Sequence, residues 1–175
     1  MKRLLFLSCL FVLLIIQVFA IDQRLIVSTL SDTIYEPLFP FQFKIPMVYR
    51  TTIERKEAKD SVIYNIKQTS TNIILEAKKT EDFVSLEYLE DLYWIPFRDS
   101  IPDINMISIE DVQKDLIPGK RYEFEYHKDK RSMRVYLYYF IKDNIFYSIR
   151  FESPNRLVKN NYKLFSVFLK NIKIE

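Results

Sequence analysis

Residues 121–151 read RYEFEYHKDKRSMRVYLYYFIKDNIFYSIRF, and their periodicity decides the fold. Tyr122, Phe124 and Tyr126 alternate with Glu123, Glu125 and His127, the period-two pattern of a strand with one covered face. Residues 133–141 are apolar on both parities: Val135, Leu137 and Tyr139 on one, Tyr136, Tyr138 and Phe140 on the other. That pattern predicts a central strand covered on both sides. Ile145, Tyr147, Ile149 and Phe151 then form one apolar face. Polar turns at 128–132 and at Lys142-Asp143-Asn144 separate the three runs. The whole predicts a three-stranded antiparallel meander.

On the C-terminal side, Ser153-Pro154 reads as the start of a helix, serine as cap and proline at the first helical position. Leu157, Leu164, Phe165, Phe168, Leu169 and Ile172 form its apolar stripe, and 172–174 add a short strand. On the N-terminal side the spacing predicts a helix over 81–94. Phe83, Leu86, Leu89 and Leu92 recur every three residues, Thr80 or Ser85 supplies the cap, and Pro96 sets the end. Residues 95–103 then form a loop, and 104–112 a strand that is apolar at Ile107 and Ile109. Further upstream, 24–30 read as a strand or extended arm. Short strands follow at 41–45, 48–54, 62–67 and 73–77. The expectation is an α+β fold: an antiparallel sheet of about six strands flanked by helices. Gly119 is the only glycine, so Asn, Asp and Pro must make the turns.

Residues 1–20 carry a different message. Lys2 and Arg3 precede an apolar run from Leu4 to Ile16, and Ala20 closes it with a small residue. This is the layout of a secretory signal peptide, leaving 21–175 as one domain. An uncleaved membrane anchor is the alternative, because the run sits at the lower length limit for a span. Cys9 lies within the run, with too little apolar sequence before it for a lipid-attachment site. Without Lys2 and Arg3 the 24 basic and 23 acidic residues leave a net charge of +1, which argues against a nucleic-acid partner. No cysteine lies beyond Cys9, so 21–175 has no disulfide, thiolate ligand or cysteine nucleophile. The chain also lacks N-x-S/T sequons, which fits a bacterial envelope protein better than a eukaryotic secreted one.

The order of elements resembles the PsbP-like superfamily. The resemblance spans 34–175 and rests on three pieces besides the meander. These are Phe41-Gln42-Phe43-Lys44-Ile45-Pro46, the Ser85-Leu86-Glu87-Tyr88-Leu89 helix and Phe168-Leu169-Lys170-Asn171-Ile172-Lys173-Ile174. It implies an antiparallel sheet sandwiched between helices. That group includes the extrinsic lumenal subunit of photosystem II, a yeast Ran-release factor, and exported bacterial proteins and lipoproteins. Its members mostly bind or scaffold, so the resemblance transfers no catalytic residue. The near absence of glycine departs from the family's usual turns.

Glu123, Glu125 and His127 are the sharpest chemical constellation. Alternate strand residues point the same way about 6.8 Å apart, and carboxylates with imidazole suit zinc or another divalent metal. Cross-strand charge pairing with Lys128, Lys130, Arg131 and Arg134 is the competing reading. No nucleophile elbow is present, and a single glycine cannot build a phosphate loop. Trp94, Phe97, Tyr136 and Tyr138 are candidates for an aromatic binding surface, with core packing as the alternative. The sequence therefore favours an exported, non-catalytic domain that binds a protein or envelope partner. No cofactor is expected, and a membrane enters only through an uncleaved leader. A metal-assisted hydrolase using Glu123, Glu125 and His127 is one alternative, and a carrier with an aromatic pocket between sheet and helix is another.

Overall fold

The computed structural model describes residues 30–47, 51–80 and 84–175. The leader at 1–20, the arm at 24–29, the first residues of the 48–54 strand and Phe83 lie outside them. The elements are β1 (Ile34–Tyr35), β2 (Phe41–Phe43), β3 (Thr52–Ala58), β4 (Ser61–Gln68) and β5 (Thr71–Lys79). A helical segment follows, made of α1 (Leu86–Leu89), a π turn (Glu90–Trp94) and α2 (Ile95–Asp99). Then come β6 (Asn105–Lys114), β7 (Ile117–Lys128), β8 (Arg131–Lys142) and β9 (Ile145–Pro154). A 3-10 turn (Asn155–Leu157) leads into α3 (Val158–Asn171), and β10 (Lys173–Ile174) ends the chain.

Seven strands form the main sheet in the order β3-β4-β5-β9-β8-β7-β6, antiparallel throughout. The expected meander is thus extended by β6, and the sheet is one strand wider than the sequence suggests. A separate ribbon, β1-β2-β10, joins the two ends of the domain, with Ile174 opposite Phe41. Among the described residues no helix is long and apolar enough to cross a membrane.

Strand alternation sorts side chains into two cores. On one face Phe41, Phe43 and Ile45 from the ribbon region, with Phe165, Phe168 and Ile172 from α3 and its end, cover Tyr64, Leu75, Ile149 and Phe151. Phe43 meets Tyr64 edge-on at 4.9 Å, and Phe151 stacks on Phe165 at 4.7 Å, both favourable aromatic geometries. On the other face Trp94 stacks on Tyr122 at 4.4 Å over Phe124, Val135, Leu137 and Tyr139. Helices therefore sit on both faces, as the pattern implies.

A buried carboxylate locks the ribbon to the sheet. Glu36 accepts from Arg55 Nε at 2.9 Å, from its guanidinium NH2 at 2.8 Å, from Tyr64 OH at 2.6 Å and from Leu38 N–H at 3.0 Å. Burial alone would push this carboxyl up, but those hydrogen bonds outweigh it and hold it below its ordinary value. Burial and the same carboxylate raise Tyr64 to about 12.

Three local readings change. Ser85 is the cap of α1, its Oγ accepting from Tyr88 N–H at 3.2 Å, but helical structure continues through Pro96 to Asp99. The π turn ahead of Pro96 loosens the point where an α-helix would drive the ring into a carbonyl four residues back. Ser153-Pro154 ends β9 instead of capping a helix. Ser153 lies opposite Arg134 in the sheet, and its Oγ accepts from Asn161 of α3 at 2.9 Å. Ile107 and Ile109 are exposed: β6 is an edge strand, and a bulge between Met106 and Ser108 takes Ile107 out of the ladder.

Three hairpins close with two residues at positive φ: Asp115-Leu116, Asp129-Lys130 and Asp143-Asn144. These are primed turns made without glycine, and Leu116 bears the strain at φ 69° while 86% exposed. Gly119 is needed for a different reason. A Cβ there would strike the Tyr139 carbonyl and the Phe140 ring across the β7–β8 ladder. Gly119→Ala should destabilise by about 1–3 kcal/mol, the usual cost of overpacking. Leu116→Asn should stabilise by about 1 kcal/mol through relief of the left-handed strain. Urea unfolding of the two variants checks both signs, and an unchanged midpoint for Gly119→Ala would show that the ladder yields freely.

Candidate functional site

On the face carrying the 86–99 helical segment, cover reaches only part of the sheet. The segment packs over β7, β8 and β9, while β3 is exposed along its whole length. Between its flank and the uncovered strands lies an open cleft of about 390 Å³. Register builds the floor. Asn65 on β4 faces Ile74 on β5, which faces Arg150 on β9. The next row runs Ile63, Glu76, Ser148 and Tyr139. Tyr93 and Phe97 form the wall, the first stacked on Phe146 at 4.2 Å.

Cations frame the cleft. The Lys78 ammonium lies 5.3 Å from the Tyr93 ring centre, and the Arg150 guanidinium 5.2 Å from that of Phe97. Both are cation–π contacts at partly desolvated positions. Arg150 Nε is 3.3 Å from Glu152 Oε1, yet it is buried and makes no aligned hydrogen bond. Burial pushes the Glu76 carboxyl above its ordinary value, against the pull of Lys78 and Arg150. The floor thus offers apolar area, one guanidinium donor and a carboxyl of raised proton affinity. Such a set of groups can accommodate a partner of mixed apolar and polar character.

The residues singled out by sequence fall elsewhere or play other parts. Glu123 and Glu125 turn toward Arg134, at 3.3 and 2.8 Å, and Glu125 also accepts from Asn155 at 2.8 Å. His127 is exposed near the strand end, opposite Ser132. Among the described residues no three His, Cys, Asp or Glu side chains gather closely enough to hold a metal ion. In the structure Glu123 and Glu125 form a cross-strand charge ladder with Arg134. Trp94 and Tyr138 are 3% and 4% exposed and belong to the two cores, so neither offers binding surface. Tyr138 OH lies 3.3 Å from Tyr162 OH, beside Phe165. Tyr136 is half-buried against Tyr162 at 4.5 Å. Phe97 alone of the four lines the cleft. Glu76, Ser148 and Arg150 are absent from the sequence reading. Their signal is a strand parity that mixes isoleucine with charge, as in Ile63 and Asn65 or Ile74 and Glu76.

No protein-family model matches this chain, and no curated protein matches it in sequence. Solved structures share its fold. Cyanobacterial PsbP from Synechocystis superposes with a TM-score of 0.60 at 11% identity, covering 84% of this chain and 93% of that one. A Bacteroides thetaiotaomicron protein gives 0.53 at 12% identity, covering 82% of this chain and 48% of its own. LpqN, involved in cell envelope biogenesis of Mycobacterium tuberculosis, gives 0.50 at 10% identity, with coverages of 70% and 83%. At such identities the likeness is one of fold, and it establishes the PsbP-like architecture that the sequence resembles.

Glu76 makes the cleft sensitive to pH. In the unfolded chain it titrates near 4.5, and in the folded protein at a higher value. The folded state then binds more protons between the two, so stability falls as pH rises through that window. Glu76→Gln removes this penalty. Its thermal midpoint should exceed that of the wild type at neutral pH, with the gap closing in acid below the ordinary carboxyl range. A gap that widens in acid contradicts the assignment.

Proposed function

We propose that this chain is an exported, non-catalytic binding domain that holds a protein or envelope partner on the uncovered floor of β4 and β5, beside the partly covered β9. One observation carries the reading. A sheet face with Ile63 and Ile74 beside Glu76 and Arg150 is left open by the helix that covers its neighbours. Surfaces of this mixed kind, with aromatic walls and a desolvated arginine, suit polypeptide recognition. Export is inferred from the leader layout of residues 1–20. An envelope setting is in keeping with the role stated for LpqN, whose fold is similar. The cleft is open and charged, which suits a partner surface better than a small apolar ligand. The carboxylates of the hydrolase alternative are engaged by Arg134.

Pull-down and crosslinking from native envelopes test this. Wild-type protein should capture a saturable partner. The double variant Ile63→Ser, Ile74→Ser should lose capture by about tenfold, the scale of one or two lost apolar contacts. Lys163→Glu, on the exposed side of α3, should capture normally. Equal capture by the floor variant, at an unchanged thermal midpoint, would remove the floor from consideration.

A further inference from the structure

Two described arginines lack a carboxylate partner, and they sit together. Arg55, Arg98, Arg121, Arg134 and Arg150 each pair with an acidic side chain. Arg131 and Arg156 pair with none among the described residues, and both are exposed. Arg131 follows the Asp129-Lys130 turn at the start of β8, while Arg156 lies in the 3-10 turn after β9. Both line an open trough of about 650 Å³ at the end of the sheet. Lys128 joins them from β7, without an ion pair among the described residues, and Lys67 from β4, with Glu54 at 3.6 Å as its one carboxylate contact among them. Four separate elements thus bring cations to one concavity.

Opposing charge there is small. Asp129 stands at the hairpin tip, and Glu152 is already 3.3 Å from Arg150. Hydroxyl groups add donors: Ser70 accepts from Asn161 at 3.1 Å, which leaves its own proton available.

We propose that this trough docks an acidic segment of a partner polypeptide, its carboxylates taken by Arg131 and Arg156 with Lys128 and Lys67 at the rim. The planar forks of two arginines match carboxylates in bidentate geometry. The trough is far larger than a single phosphate ion requires. Among the described residues no aromatic side chain lines it, so bases and sugar rings find no stacking platform there. The exposed apolar side chains that would enter a bilayer, such as Leu116 and Ile109, lie outside it. The site uses residues distinct from the Ile63–Glu76–Arg150 floor and does not depend on that reading.

A fluorescent peptide of alternating glutamate and alanine residues is the probe, with anisotropy as the readout on the full chain. The peptide should bind at low ionic strength and weaken as salt rises, because exposed charges are screened. The double variant Arg131→Gln, Arg156→Gln should weaken binding by about tenfold, the loss of two exposed charge pairs. Lys128→Gln should show a smaller loss. The Ile63→Ser, Ile74→Ser variant should bind the peptide like the wild type, so failure here and failure of the floor reading register separately. Three results would overturn the proposal. They are unchanged affinity in the double arginine variant, equal binding of a glutamine–alanine peptide, and displacement by inorganic phosphate or phosphatidylglycerol vesicles below the peptide's own dissociation constant.

Discussion

Both cores hang on β8, and β8 cannot set its own register. Its residues are apolar on both parities, so a one-residue slip would bury about as much surface as the native alignment. The constraint comes from its neighbours. β7 alternates Tyr122, Phe124 and Tyr126 with Glu123 and Glu125, and only one phase keeps those carboxylates beside Arg134. Two-residue turns at Asp129-Lys130 and Asp143-Asn144 then fix the pairing on each side. The charge ladder that first suggested a metal site is better understood as part of this register lock.

With register fixed, the open floor follows. β9 carries Ile149 and Phe151 toward α3, and the opposite parity places Ser148 and Arg150 on the other face. β5 pairs with β9 in the same phase, so Glu76 lands beside Ser148. The 86–99 segment is short and is anchored by Trp94 on Tyr122, toward β7. It therefore leaves β3, β4 and β5 uncovered on that side. The ribbon covers the opposite face of β4, where the Glu36, Arg55 and Tyr64 network holds it. One half of one face is what the helical segment leaves uncovered.

Much of the fold was legible because its cues are local. Period-two alternation located β4, β5 and the meander, and Ser85 was one of two caps offered for the 81–94 helix, the structure selecting it over Thr80. The failures share a cause, since each residue is compatible with two structures that only tertiary context separates. Ser153-Pro154 suits a helix start or a strand end, and pairing with β8 selects the strand. Pro96 stops an α-helix but not a segment with a π turn before it. Trp94 and Tyr138 have the composition of a binding surface, and burial claims them. The site was least legible: Glu76 and Arg150 lie on strands far apart in sequence, and only the β5–β9 register brings them together.

The central claim is that the uncovered floor, and not a helix face, is the recognition surface. Site-resolved photocrosslinking tests it most directly, with a photoreactive side chain at Asn65 on the floor compared with one at Lys163 on α3. An adduct of defined mass from Asn65, with none from Lys163, is the expected result. Adducts from Lys163 alone, or equally from both, would contradict it.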